Sequence, residues 1–246
     1  MISMKNFCFV FSAISILFSC SDSNSIKLVK VEGSPEYQTS KLFLNTVVKS
    51  SDTLGTNDYF FNYSVENYEL GAQTIKEFDY SLANSQKGQH IHVNVNNGPY
   101  FAKYQSSFKQ KLVSENNVIL AFLSRSYHES VKNTNSYSLI QLGDGERIDN
   151  SKELLFYSRP KGNYKGKDTE KVLLDFFLLN TNLSADGNRI KATIMDKEFI
   201  IYDWAPYYIE GLPNGEIYIK LELQDKNGNL IDSPFNPSER RFTLEN

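Results

Sequence analysis

Two of the three histidines in this 246-residue chain stand two positions apart, in "HIHVNV" at residues 90–95. Residues i and i+2 of a β-strand lie on one face, so His90 and His92 would present both rings side by side. The third, His128, sits in "FLSRSYHES" at residues 122–130. Imidazole nitrogens hold zinc or copper when three or four converge, so His90, His92 and His128 are the candidate metal set. Spacing fixes no carboxylate among them, because Glu129 follows His128 and alternation points it elsewhere. The alternative is that the rings are hydrogen-bonded structural residues of a covered interface. Geometry decides: a strand running straight through "SRSY" would keep His128 on the face of His90 and His92.

A second chemistry is carried by cations set among hydroxyls and aromatics. Arg125 lies in "SRSYHES", and Arg159, Lys161 and Lys165 lie in "FYSRPKGNYKGKD". Arginine beside serine hydroxyls suits a carboxylate or phosphate through paired hydrogen bonds, so a protein or another anionic ligand is the expected partner. Pro160 and Gly162 mark a turn whose spacing is not that of a P-loop. No Gly-x-Ser-x-Gly elbow, no His-Glu-x-x-His and no cysteine nucleophile is present. Binding is expected, not catalysis.

The elements that must position these residues are strands. Alternating or β-branched runs recur as "KLFLNTVV", "YFFNYSVENY", "HIHVNV", "NVILAFL", "VLLDFFLL", "RIKATIM", "EFIIYDW", "EIYIKLELQ" and "RRFTLE". Turn chemistry such as "NNGP", "SADGN", "LPNG" and "DKNGN" separates them, and no window keeps a helical period. The halves also parallel each other in order: "FNYSVENYEL" with "LLDFFLLNTNL", "HIHVNVNNGPYF" with "RIKATIMDKEFI", and "KLVSENNVILAFL" with "GLPNGEIYIKLEL". The fold class is therefore all-β: two tandem immunoglobulin-like β-sandwiches, residues 38–149 and 150–246, with an insertion in the first near residues 72–89. Tyr218 would take the corner position of the second sandwich.

Parity then sets faces. Ile91, Val93 and Val95 point to the core, and His90, His92 and Asn94 point away, matched by Arg189, Lys191 and Thr193. The outward row of the next central strand differs between halves. It is Tyr218, Lys220 and Glu222 in the second but Val118, Leu120 and Phe122 in the first. Wet apolar area costs about 25 cal/mol per Å², so the insertion or the second sandwich should cover that row.

The opening "MISMKNFCFVFSAISILFSCSDSNS" reads as a secretory signal over residues 1–19, with Lys5 before an apolar run too short to span a membrane. "LFSC" resembles a lipobox, which makes Cys20 the lipidated residue and residues 20–37 a tether. Loss of the signal removes Cys8, so no disulfide is available to the mature chain. Membrane attachment through acyl chains follows, at the cell envelope and at the outer membrane more than the inner. The balance of 26 basic against 29 acidic residues, with no basic run, excludes a nucleic-acid partner.

"KGQHIHVNVNNGPYFAKY", "LAFLSRSYHES", "LFYSRPKGNYKGKDT", "VLLDFFLLNTNLSADGN" and "YYIEGLPNGE" together resemble a family of uncharacterised Bacteroidota lipoproteins, often called "phosphopeptide-binding protein" in genomes. The resemblance runs from Tyr59 to Asp232. It implies an exported, lipid-anchored β-protein with no established activity and no catalytic residues. The matched motifs make Arg125, His128, Arg159 and Lys161 the residues expected to contact a ligand.

Overall fold

The structure, a computed structural model, describes residues 25–50, 57–78, 82–112 and 114–245. The signal segment, Cys8 and Cys20 lie outside the described residues. The chain runs through β1 (Lys27–Lys30), β2 (Lys41–Lys49), β3 (Asp58–Glu66), β4 (His90–Val95), β5 (Phe101–Lys103), β6 (Ser107–Lys111), β7 (Asn117–Ser124) and β8 (Tyr137–Leu142). It continues through β9 (Leu154–Arg159), β10 (Asn163–Lys165), a 3-10 turn (Gly166–Thr169), β11 (Val172–Leu179), β12 (Arg189–Ile194), β13 (Lys197–Ile201), β14 (Tyr207–Glu210), β15 (Gly215–Gln224) and β16 (Ser238–Glu245).

The first sandwich packs sheet β2-β3-β6 on sheet β5-β4-β7-β8, around Leu42, Phe61, Ile91, Val93, Ile119 and Leu123. In the second, β1-β14-β11-β9 packs on β10-β16-β15-β12-β13, around Tyr157, Phe176, Ile190, Ile194, Ile219 and Phe242. Both place the paired central strands as the repeat requires. His92 stands opposite Phe122 in the first and Lys191 opposite Glu222 in the second. The fold is all-β and immunoglobulin-like, as expected.

A third apolar cluster joins the two sandwiches. Val118, Leu120 and Phe122 of β7 meet Leu154 and Phe156 of β9 and Phe177 and Leu179 of β11, with Phe122 and Phe177 stacked at 4.8 Å between centroids. The second sandwich thus covers the apolar row. The insertion lies beside it: Phe78 and Leu82 pack on Val31, Leu173 and Tyr208, and Ser85 N–H donates to the Ser126 carbonyl at 2.8 Å.

Three expectations need correction. Lys27–Lys30, inside the stretch read as tether, forms a strand on the second sandwich, pairing Lys27 to Lys30 with Glu210 to Tyr207. A four-residue edge strand whose partner lies about 180 residues away leaves no local pattern to read. Tyr218 is no corner tyrosine, because Ile217 and Ile219 take the core and parity turns its ring outward under Arg241, 5.1 Å from the ring centroid. Finally, β7 stops at Ser124 and does not run through "SRSY".

Candidate metal centre

All six residues of β4 are buried, the polar ones included. Ile91 and Val93 enter the core of their own sandwich, while His90 and His92 face the seam that the second sandwich and the insertion close. The neighbouring strand would leave that face at Ser124. A tight turn brings it back: the Arg125 N–H donates to the Glu129 carbonyl, and the His128 N–H to the Arg125 carbonyl, each at 2.9 Å. His128 sits there at φ 74°, a left-handed conformation costly for a side chain with a Cβ.

That turn has a twin. In the second sandwich Asp225 N–H donates to the Asn229 carbonyl and Gly228 N–H to the Asp225 carbonyl. Bridges Ser124–Ser130 and Gln224–Leu230 close the two turns alike. The position of His128 is taken by Gly228, at φ 87°. Glycine is the residue this backbone asks for, and the first sandwich places an imidazole there instead.

The three rings converge. His90 Nε2 lies 2.8 Å from His92 Nε2 and 3.2 Å from His128 Nδ1, and one ligating nitrogen from each ring fits within 4.8 Å. His90 Nδ1 lies 2.8 Å from the Gly88 carbonyl, an acceptor only, so Nδ1 carries the proton and Nε2 points a lone pair inward. A backbone carbonyl that fixes the tautomer in this way is the usual second partner of a metal-ligating histidine. His92 Nδ1 is buried with no hydrogen-bond partner, and the His90 Nε2 lone pair 2.8 Å away makes Nε2 the protonated nitrogen of that ring in the absence of an ion.

Tyr100 closes the cluster. Its ring lies flat on His92, with centroids 3.4 Å apart. Its hydroxyl accepts from Arg159 Nε at 2.7 Å and lies 3.3 Å from His128 Nδ1. Arg159 also donates to the Tyr164 hydroxyl at 2.8 Å. Lys161 Nζ donates to the Tyr100 carbonyl at 2.7 Å and sits 3.9 Å from the centre of its ring.

Burial is the main force on these ionisable groups. It pushes His90 down to about 4, helped by the Arg159 and Lys161 charges and opposed by the Gly88 carbonyl. His92 and His128 are held well below the ordinary histidine range by burial, with the neighbouring imidazoles and the charges of Arg159 and Lys161 adding to it. Burial and the charges of Arg159 and Arg240 bring Lys161 to about 8. The three rings are therefore neutral at pH 7, the state that ligation needs.

The four residues read as ligand contacts divide into two groups. His128, Arg159 and Lys161 gather around Tyr100. Arg125 is turned to other work: it donates to the Pro35 and Ser130 carbonyls and lies 3.8 Å from the buried Glu129 carboxylate. Glu129 accepts from Tyr208 at 2.7 Å and Ser34 at 2.6 Å. A second buried pair, Lys132 with Asp175 at 2.6 Å, crosses the same seam. Sequence reasoning missed Tyr100 and Asp175. Tyr100 directly follows the "NNGP" turn of the histidine strand, and Asp175 is a lone acid inside "VLLDFFLL", a position that asks for a buried partner.

No family model and no curated protein matches the chain. Among solved structures, fibronectin(III)-like modules of Clostridium thermocellum CbhA align at 10% identity over 81% of this chain and 94% of theirs, with a TM-score of 0.30. The central fibronectin-III array of RIM-binding protein aligns at 11% identity over 82% of this chain and 68% of its own, at 0.27. The two tandem V-type regions of a v-region-containing chitin binding protein align at 7% over 90% and 99%, at 0.23. Similarities of this size carry no argument about the site.

Proposed function

We propose that this chain is an exported, lipid-anchored binding protein of the bacterial cell envelope that holds a zinc or copper ion on His90, His92 and His128. The convergence of three neutral ring nitrogens on one point, with the His90 tautomer fixed by Gly88, carries the reading. Tetrahedral zinc with Zn–N bonds of about 2.0–2.1 Å separates its ligands by about 3.3 Å. The distances of 2.8 and 3.2 Å here must open slightly, and the third pair of nitrogens, within 4.8 Å, must draw together. The left-handed backbone at His128 supports it too, because strain of this kind is held where a side chain has a task. We read the protein's role as binding. Its attachment is through Cys20, in keeping with the lipobox-like ending and with the resemblance to Bacteroidota lipoproteins.

Titration of Zn²⁺ into the mature protein tests the site. Wild type should take up one equivalent and gain about 2.7 kcal/mol of unfolding free energy at a hundredfold excess over Kd. His92→Ala should lose at least about 100-fold in affinity, since even outer-shell partners contribute 10- to 100-fold. Equal, weak binding by both proteins would leave the histidines as structural residues. For the anchor, Cys20→Ala should move the protein out of the membrane fraction and abolish acyl labelling, and a variant still labelled elsewhere would defeat the lipoprotein reading.

A further inference from the structure

We propose that Tyr100, through its phenolate oxygen, is the fourth ligand of this centre and sets its preference for Cu²⁺. The inference rests on the metal reading above. Its first support is position. The Tyr100 hydroxyl is 3.3 Å from His128 Nδ1, the separation of about 3.3 Å expected for two ligands of one tetrahedral ion. His90 Nε2 lies 3.2 Å from that same nitrogen. Tyr100 therefore brings a fourth donor atom to ligand separation from one of the three histidines.

The second support is charge. Among the described residues the cluster offers three imidazoles and no carboxylate or thiolate. A dication on neutral rings, buried beside Arg159 and Lys161, lacks a compensating anion, and an uncompensated buried charge is strongly unfavourable. A phenolate supplies it from within. Burial pushes the Tyr100 phenol up, and the charge and hydrogen bond of Arg159 oppose that push. Arg159 Nε donates to the oxygen at 2.7 Å, and Lys161 Nζ stands 3.9 Å from the ring centre. Without an ion, the two cations instead hold a neutral phenol, whose proton is directed at the His128 Nδ1 lone pair.

Loading balances simply. The Tyr100 O–H bond breaks, a copper–oxygen bond forms, and the proton leaves to solvent, freeing the His128 lone pair for the ion. Because each donor lone pair lies in its own ring plane, the Tyr100 and His92 rings, now 15° from parallel, must splay as the ion enters. A hard anionic oxygen beside three imidazoles suits Cu²⁺ above Cu⁺, which prefers sulfur ligands.

The test is Cu²⁺ titration of the full mature chain, read by visible absorption, resonance Raman and calorimetry in two buffers. Wild type should give a one-to-one complex with a phenolate-to-copper charge-transfer band and phenolate ring vibrations. Tyr100→Phe should bind about 10- to 100-fold more weakly, without the band and with about one proton fewer released. The wild-type spectrum needs no variant, so the inference stays open to defeat even if Tyr100→Phe folds poorly. Copper bound by wild type without phenolate bands overturns the inference. So does a Tyr100→Phe protein with unchanged affinity and proton release. In both cases loss of binding by His92→Ala would keep the three-histidine centre standing. A wild type that takes up no Cu²⁺ and no Zn²⁺ overturns both readings.

Discussion

The β4–β7 pair of the first sandwich and the β12–β15 pair of the second are one design put to two uses. Register and parity agree residue by residue, with Ile91 opposite Leu123 and Ile190 opposite Leu223. The inward rows are both apolar. The outward rows part company: β12 alternates half-buried and buried positions, whereas β4 and β7 are buried throughout. Docking of one sandwich on the other makes the difference, turning an outer face into a second core. A polar side chain on such a face has lost water and must be given partners. Lys191 is half-buried and pairs with Glu198 at 2.7 Å near solvent, while His90 and His92 are defined by the partners that the buried face gives them.

The comparison breaks first at Phe122. Its ring fills the joint between sandwiches, so Phe122→Ala should cost about 3–5 kcal/mol in chemical unfolding. Its counterpart change, Glu222→Ala, removes a half-buried carboxylate 3.2 Å from Lys220 and should stay within about 1 kcal/mol. Similar losses at the two positions would mean that the outward face of β7 is not a core, and the account of the histidine strand would fall with it.

The residues explain which parts of this were legible in sequence. Parity of Ile91, Val93 and Val95 placed the histidines off the core, and the row Val118, Leu120 and Phe122 announced a cover, the insertion or the second sandwich, without naming its residues. The cover itself, Phe156 and Phe177, depends on contacts between strands far apart in the chain, where no periodicity reports. Short edge strands such as Phe101–Lys103 and Asn163–Lys165 are below the length at which alternation is visible. Convergence of His128 was expected by a straight strand and is achieved by a turn. Its twin "DKNGN" was readable as a turn through its glycine, whereas "RSYHE" carries no glycine, proline or asparagine, because the position that wants glycine holds the imidazole.

That substitution is the next place to press. His128→Gly restores the residue found in the twin turn, where Gly228 has φ 87°. Relief of about 1 kcal/mol of backbone strain should offset the lost ring contacts, leaving apo stability within about 1 kcal/mol of wild type while Zn²⁺ affinity falls with the lost ligand. A loss of more than about 2 kcal/mol with metal affinity intact would make His128 a structural residue. The strained turn would then have no explanation in binding.

The smallest expected effect is the sharpest control. Arg189→His with Lys191→His writes the His-x-His pair of β4 onto β12, at the same register against β15. Both positions are half-buried with solvent beside them, so stability should move by less than about 0.5 kcal/mol. What the graft lacks is the third imidazole, because Gly228 stands where the first sandwich has His128. Two histidines on an open strand hold zinc weakly, because the ion keeps its waters and each ring must be ordered on binding. Calorimetry on a background carrying His92→Ala isolates the graft from the native site. Uptake there as tight as at the native centre would show that any His-x-His strand suffices, and the turn at His128 and the ring of Tyr100 would be left without a part in binding. Weak uptake places the affinity in the buried seam that only the first sandwich possesses.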